Sequence, residues 1–113
     1  MGSTQVVVVL ITAASREEAL RLADALTAAR QAACVSVLPH VESSFWWQGA
    51  RERAEETLLI AKTTSDLLSQ LIATVKTGHS YEVPEIIAMP VVGGNPDYLD
   101  WVTRETGTRA EGG

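Results

Sequence analysis

The stretch His79–Glu85, HSYEVPE, gathers one imidazole, one phenol and two carboxylates within seven residues. A histidine beside carboxylates can hold a divalent cation or exchange a proton near neutral pH. Glu82 and Glu85 could divide acid and base work if their surroundings drove their pKa values apart. The competing reading is a rigid helix-to-strand connection, because Val83 precedes a proline and Pro84 lacks an N–H. That accounts for the proline but not for His79, Tyr81, Glu82 and Glu85 together. Lys62 closes an otherwise apolar run. It is either a snorkelling surface lysine or a positive charge aimed at a ligand cleft. Cys34, the only cysteine, reads as a small buried hydrophobe or as a soft metal ligand. His40 lies six residues beyond Cys34, about 20 Å along a strand, so the two cannot share an ion within one chain. His40 and Glu42 are closer, roughly 6.6 Å apart on one strand face, and need a bulge or a third ligand to do so. No Walker loop, HExxH, paired cysteines or nucleophile elbow is present.

These residues need elements to position them. QVVVVLIT (Gln5–Thr12) is β-branched and apolar on both faces, a strand. In Ser15–Arg30, Ser15 and Glu18 form a capping box. Ala19, Leu22, Ala23, Leu26 and Ala29 then recur at helical spacing. Ala33–Gln48 alternates, with Val35, Val37, Val41, Phe45 and Trp47 on odd positions, which predicts a strand. Pro39 marks a bulge or an edge within it. A turn at Gly49 and Ala50 leads to a strand over Ala54–Thr63. Ser65–Gly78 is a helix with Leu67, Leu68, Leu71, Ile72 and Val75 inward and Gly78 as its cap. Glu85–Val92 is the last strand. Asn95 and Pro96 begin a short helix bearing Tyr98, Trp101 and Val102. The order βαββαβ plus a short C-terminal helix predicts an α+β, ferredoxin-like domain: one antiparallel sheet with both main helices on one face. One domain is expected over residues 1–113, with residues 1–4 and 106–113 as flexible ends.

Two helices cannot cover two apolar sheet faces. Either the short C-terminal helix or other copies of the chain must cover the second. The Ala33–Gln48 strand adds a clue. Fully extended it spans roughly 50 Å, against about 24 Å for a helix of equal length. The hairpin should overshoot the domain and carry Phe45, Trp46 and Trp47 out to a neighbour.

Composition narrows the functional classes. A net charge of −5, nine scattered basic residues and 5% aromatics argue against a nucleic-acid partner. No apolar run is long enough for a membrane span, and the start lacks the basic region of a signal peptide. With a single cysteine, the expectation is a cytoplasmic protein.

Five stretches, in order over Val6–Val102, resemble the CutA family of divalent-cation tolerance proteins. AACVSVLP is similar to A-A-C-V-N-I-I-P, and WWQG to an aromatic-W-x-G. EETLLIAKT is similar to E-E-x-x-L-x-x-K-T, HSYEVPEIIAMPV to H-P-Y-E-V-P-E-I-I-x-x-P, and GNPDYLDWV to G-N-P-x-Y-L-x-W. Ser80 stands where the family has proline. The resemblance implies a tight homotrimer with sheets facing inward and hairpin arms reaching adjacent subunits. It also implies a link to tolerance of copper and other divalent metals. The plan is similar to that of nitrogen-regulatory signalling proteins, which bind small ligands between subunits. The family's cleft residues fall on Trp47, Lys62, His79, Tyr81 and Glu85, with Cys34 and Glu82 nearby, and His79 and Cys34 as metal candidates. The expectation is therefore a binding or regulatory module, taking a divalent cation or a small anionic ligand between subunits, with Lys62 offering charge, His79 and Glu85 coordination or hydrogen bonds, and Trp47 with Tyr81 an apolar wall. Its rivals are a scaffold that recruits a protein, and an acid–base enzyme using His79 with Glu82 or Glu85.

Overall fold

The computed structural model describes residues 5–107. The elements are β1 (Val6–Ala13), α1 (Arg16–Ala28), β2 (Cys34–Trp47), β3 (Ala50–Thr64), a 3-10 turn (Ser65–Leu67), α2 (Leu68–Gly78), β4 (Ile86–Pro90) and α3 (Pro96–Glu105). The four strands form one antiparallel sheet in the order β2-β3-β1-β4. This is the arrangement read from the βαββαβ pattern. The expected flexible ends at 1–4 and 108–113 lie outside the described residues. Thr106 and Gly107 are described: the Thr106 hydroxyl donates to the Val102 carbonyl, and the Gly107 N–H to that of Arg30. No helix among the described residues is long and apolar enough to cross a membrane.

Side chains alternate across a sheet, so register assigns each residue a face. Val7, Val9 and Ile11 of β1 lie opposite Thr63, Ala61 and Leu59 of β3. All six are buried. The five apolar ones meet Ala19, Leu22, Leu26, Leu71 and Val75 from α1 and α2 in one core. Gly78 differs from the sequence reading. It is the last residue of α2 and does not adopt the left-handed conformation. Its role is close approach, since a Cβ there would come within 3.3 Å of Leu22 Cδ2 on α1.

The opposite face carries Val8, Leu10, Ile60, Lys62, Cys34, Ser36, Leu38, Ile87 and Met89 by register. Helix α3 covers one end of it. Val6 and Thr64, paired in register, are buried there, and Val102 of α3 is fully buried. The rest is open, with Leu38 42%, Ile87 52% and Met89 45% exposed. The short C-terminal helix thus accounts for part of the cover this face requires, not all of it.

The β2–β3 hairpin projects from this body. The molecule measures 48 × 27 × 22 Å, and its radius of gyration of 15.0 Å exceeds the roughly 13 Å of a compact chain of this size. Register slips between Leu38 and Val41, and His40 takes a φ of 65°. Pro39 lies in this bulge, on an edge strand. The slip corrects one expectation: the apolar odd positions do not share a face. Val35 and Val37 face α1 and α2, whereas Val41, Phe45 and Trp47 pair with Glu56, Glu52 and Ala50 on the open side. The turn uses Gln48 (φ 51°) and Gly49 (φ 83°), two left-handed residues that suit a two-residue hairpin.

Candidate functional site

The bridge from α2 to β4 is pinned by a buried polar cluster. The His79 side chain is fully buried. Its Nε2 lies 2.7 Å from the Thr12 carbonyl oxygen, and its Nδ1 lies 3.0 Å from the Tyr81 amide nitrogen. A carbonyl can only accept and an amide N–H can only donate. His79 is therefore neutral in this arrangement, with its proton on Nε2. Both ring nitrogens are spent on backbone.

Glu18 is the second anchor. The Ser15 hydroxyl accepts the Glu18 N–H at 3.1 Å, as the capping pattern predicts. The Glu18 carboxylate reaches further. Oε1 accepts from the Ala14 N–H at 3.1 Å and the Ser80 hydroxyl at 3.0 Å, and Oε2 accepts the Ser80 N–H at 2.5 Å. Burial alone would push this carboxyl up. The Ser80 and Ala14 donors outweigh it, and the net pKa is lowered from the ordinary value. Ser80, the departure from the family pattern, thus supplies two donors where proline would have no N–H.

Tyr81 completes the cluster. Its ring lies 4.8 Å from that of His79, and its hydroxyl donates to Glu56 Oε2 at 2.7 Å. Burial and the Glu56 carboxylate push its pKa up to about 12. Glu82 and Glu85, on the same bridge, are exposed and make no side-chain hydrogen bond or ion pair among the described residues.

A second cluster sits on the open sheet face. Cys34 and Lys62 are register partners. Lys62 Nζ lies 3.2 Å from Ser36 Oγ and 4.0 Å from Cys34 Sγ. Tyr98 of α3 lies near Cys34; burial first, then Cys34, raises its pKa. Lys62 is opposite Val8, whereas His79 is bonded at Thr12, four residues further along β1. That is about 13 Å along the strand, so one chain does not bring Lys62 and Cys34 together with His79. Trp47 is exposed at the hairpin tip. His40 pairs with Glu55, Nδ1 to Oε2 at 2.5 Å, on the exposed arm. Glu42 is the register partner of Glu55.

Sequence reasoning named His79, Tyr81, Lys62 and Cys34 but missed their partners. Glu18 was visible only as a helix cap. Glu56, Thr12, Ser36 and Tyr98 carried no local signal.

These donors do not suit a divalent cation within one chain. His79 could bind a metal only by releasing a backbone hydrogen bond, and Cys34 lies beside an ammonium that repels cations. Among the described residues, no three His, Cys, Asp or Glu side chains converge as metal ligands.

Comparison with known proteins agrees with the fold. The profile of the CutA1 divalent ion tolerance protein family matches residues 7–105. A divalent-cation tolerance protein CutA from Thermus thermophilus is 46% identical over 100 residues, covering 88% of this chain and 97% of the relative. The chloroplastic CutA 1 of Oryza sativa is 43% identical over 100 residues, and the chain spans only 56% of its length. Among solved structures, the Thermus thermophilus protein superposes with a TM-score of 0.89 at 45% identity, over 90% of this chain and 99% of its own. A protein from Archaeoglobus fulgidus, described as a periplasmic divalent cation tolerance protein, superposes with a TM-score of 0.83 at 41% identity, over 86% of this chain and 94% of its own.

Proposed function

Because the chain belongs to the CutA1 divalent ion tolerance family, we propose that it is a homotrimeric binding or regulatory module in the tolerance of divalent metals, copper among them. A divalent cation or a small ligand enters clefts between subunits, and a cation there draws ligands from more than one chain. The observation that carries this reading is the open sheet face. Leu38, Ile87 and Met89 are exposed beside half-buried Val8, Leu10 and Ile60. A patch of this kind is costly in water and is relieved when identical copies meet across it. The projecting hairpin gives each copy an arm, with Phe45 and Trp47 on the same side as the open face. Closure would bring Lys62 and Cys34 of one subunit towards the arm or the bridge of the next. Residence in the cytoplasm is part of this proposal, in keeping with a single cysteine, and fractionation of the host cell tests it.

A thermal-unfolding screen against copper, other divalent ions and small metabolites tests the binding role. A ligand of the native assembly raises Tm with concentration. A flat Tm throughout, together with capture of a specific protein partner, would support a scaffold instead.

A further inference from the structure

Lys62 is out of place on the open face. Only two of the nine basic residues are lysines. This one stands half-buried, and the two residues that precede it on that face of the strand, Ile60 and Leu58, are apolar. A charge withdrawn from water needs a counter-charge or a full set of hydrogen bonds. Lys62 has neither. Its ammonium carries three N–H donors. One meets the Ser36 hydroxyl at 3.2 Å, and a second points towards Cys34 sulfur at a long 4.0 Å. The chain has fourteen acidic residues against nine basic, yet no carboxylate forms an ion pair with Lys62 among the described residues.

Its surroundings are built for a ligand of one sign. Ser36 Oγ accepts from Lys62, so its own O–H remains to be given. Tyr98, its ring 5.5 Å from that of Trp101, lies near Cys34 on one side. Val8 and Ile60 flank the lysine without polar groups. Unspent donors, a positive charge and low-dielectric walls select an acceptor-only, negatively charged group. We infer that Lys62 and Ser36 form a binding site for a small oxyanion, a carboxylate or a phosphate. The inference deepens the cleft reading above and rests on it, because this site lies on the face the copies would close. A bare divalent cation is repelled from this spot and enters it only as the chelate of such an anion.

Calorimetric titration of the native assembly tests this with three probes: citrate, inorganic phosphate and copper(II) chloride. Citrate or phosphate should bind, more weakly at higher salt. Lys62→Met should weaken that binding at least about tenfold, the factor carried by about 1.4 kcal/mol, roughly one lost charge-assisted hydrogen bond. Lys62→Arg, which keeps the charge, should retain part of it. Light scattering checks that each variant assembles as the wild type does. Should Lys62→Met fail to assemble, Ser36→Ala takes its place, with the same direction expected. The inference is overturned if neither anion binds the wild type, or if both bind the variant equally well. It is also overturned if neither anion binds and Lys62→Met dissociates the copies, which would make a neighbour's carboxylate the missing partner. A monomeric wild type would instead refute the cleft reading itself, and light scattering reads that separately.

Discussion

Replacing Ser80 with proline restores the residue expected from the family pattern, yet in this chain it should destabilise. The Ser80 N–H is the donor to Glu18 Oε2 at 2.5 Å, and the Ser80 hydroxyl donates to Oε1 at 3.0 Å. Proline has neither group. The Glu18 side chain is 5% exposed, so water cannot readily replace them. Hydrogen bonds to a charged group contribute about 1.5–3 kcal/mol each. Losing two costs roughly 3–6 kcal/mol. Proline recovers about 0.4–1 kcal/mol by restricting the unfolded chain. The net expectation is a loss of roughly 2–5 kcal/mol. Ser80→Ala, which keeps the N–H, should lose only the hydroxyl's share, about 1.5–3 kcal/mol. Urea unfolding of the three proteins, at equal concentration and with midpoints compared at constant slope, measures both differences. A Ser80→Pro variant as stable as the wild type, or a Ser80→Ala variant less stable than Ser80→Pro, would refute the clamp.

Three further outcomes follow from the same network and from the hairpin. Glu18 has a lowered pKa, so its stabilising share is complete above the unfolded carboxyl value and is lost as pH falls through the folded one. The stability gap between wild type and Glu18→Gln should therefore hold constant from pH 7 to about 5 and close below about 4.5; a gap that is unchanged at pH 3 contradicts this. Tyr81, with its pKa pushed up to about 12, contributes stability below about pH 10 that disappears as pH rises towards that value. Tyr81→Phe should cost about 1.5–3 kcal/mol at neutral pH and delete the last tyrosinate step in an alkaline absorbance titration. Gly49→Ala puts a side chain at φ 83° in open space, so only backbone strain opposes it. A loss of about 1 kcal/mol in calorimetric unfolding is expected.

Much of the fold was legible because burial is periodic. Val7, Val9 and Ile11 against Ala19, Leu22 and Leu26 is a strand facing a helix, and both patterns are written in the residue types. The hairpin was read less well. β3 starts at Ala50, not Ala54, because Arg51–Glu55 is an arm exposed on most positions, and solvent imposes no hydrophobic alternation. The bulge was suspected from Pro39. Its consequence was not, because a one-residue slip reverses every later side chain without changing composition. The site divides in the same way. His79 and Tyr81 stood out as polar residues where a connection needs none. Glu18 is 62 residues from Ser80, and Glu56 is 25 from Tyr81. Pairing at that distance is decided by topology, which leaves no trace in local sequence. The cap and the clamp are both made by Glu18, and only the first is a local pattern.

Sedimentation equilibrium of the wild-type chain, diluted from micromolar to nanomolar, addresses the unburied face of the sheet most directly. The expected result is a single species of three times the chain mass that stays folded and does not dissociate across the range. A folded species of one chain mass, with its circular dichroism unchanged on dilution, would show that Leu38, Ile87 and Met89 tolerate water, and that no cleft between copies exists.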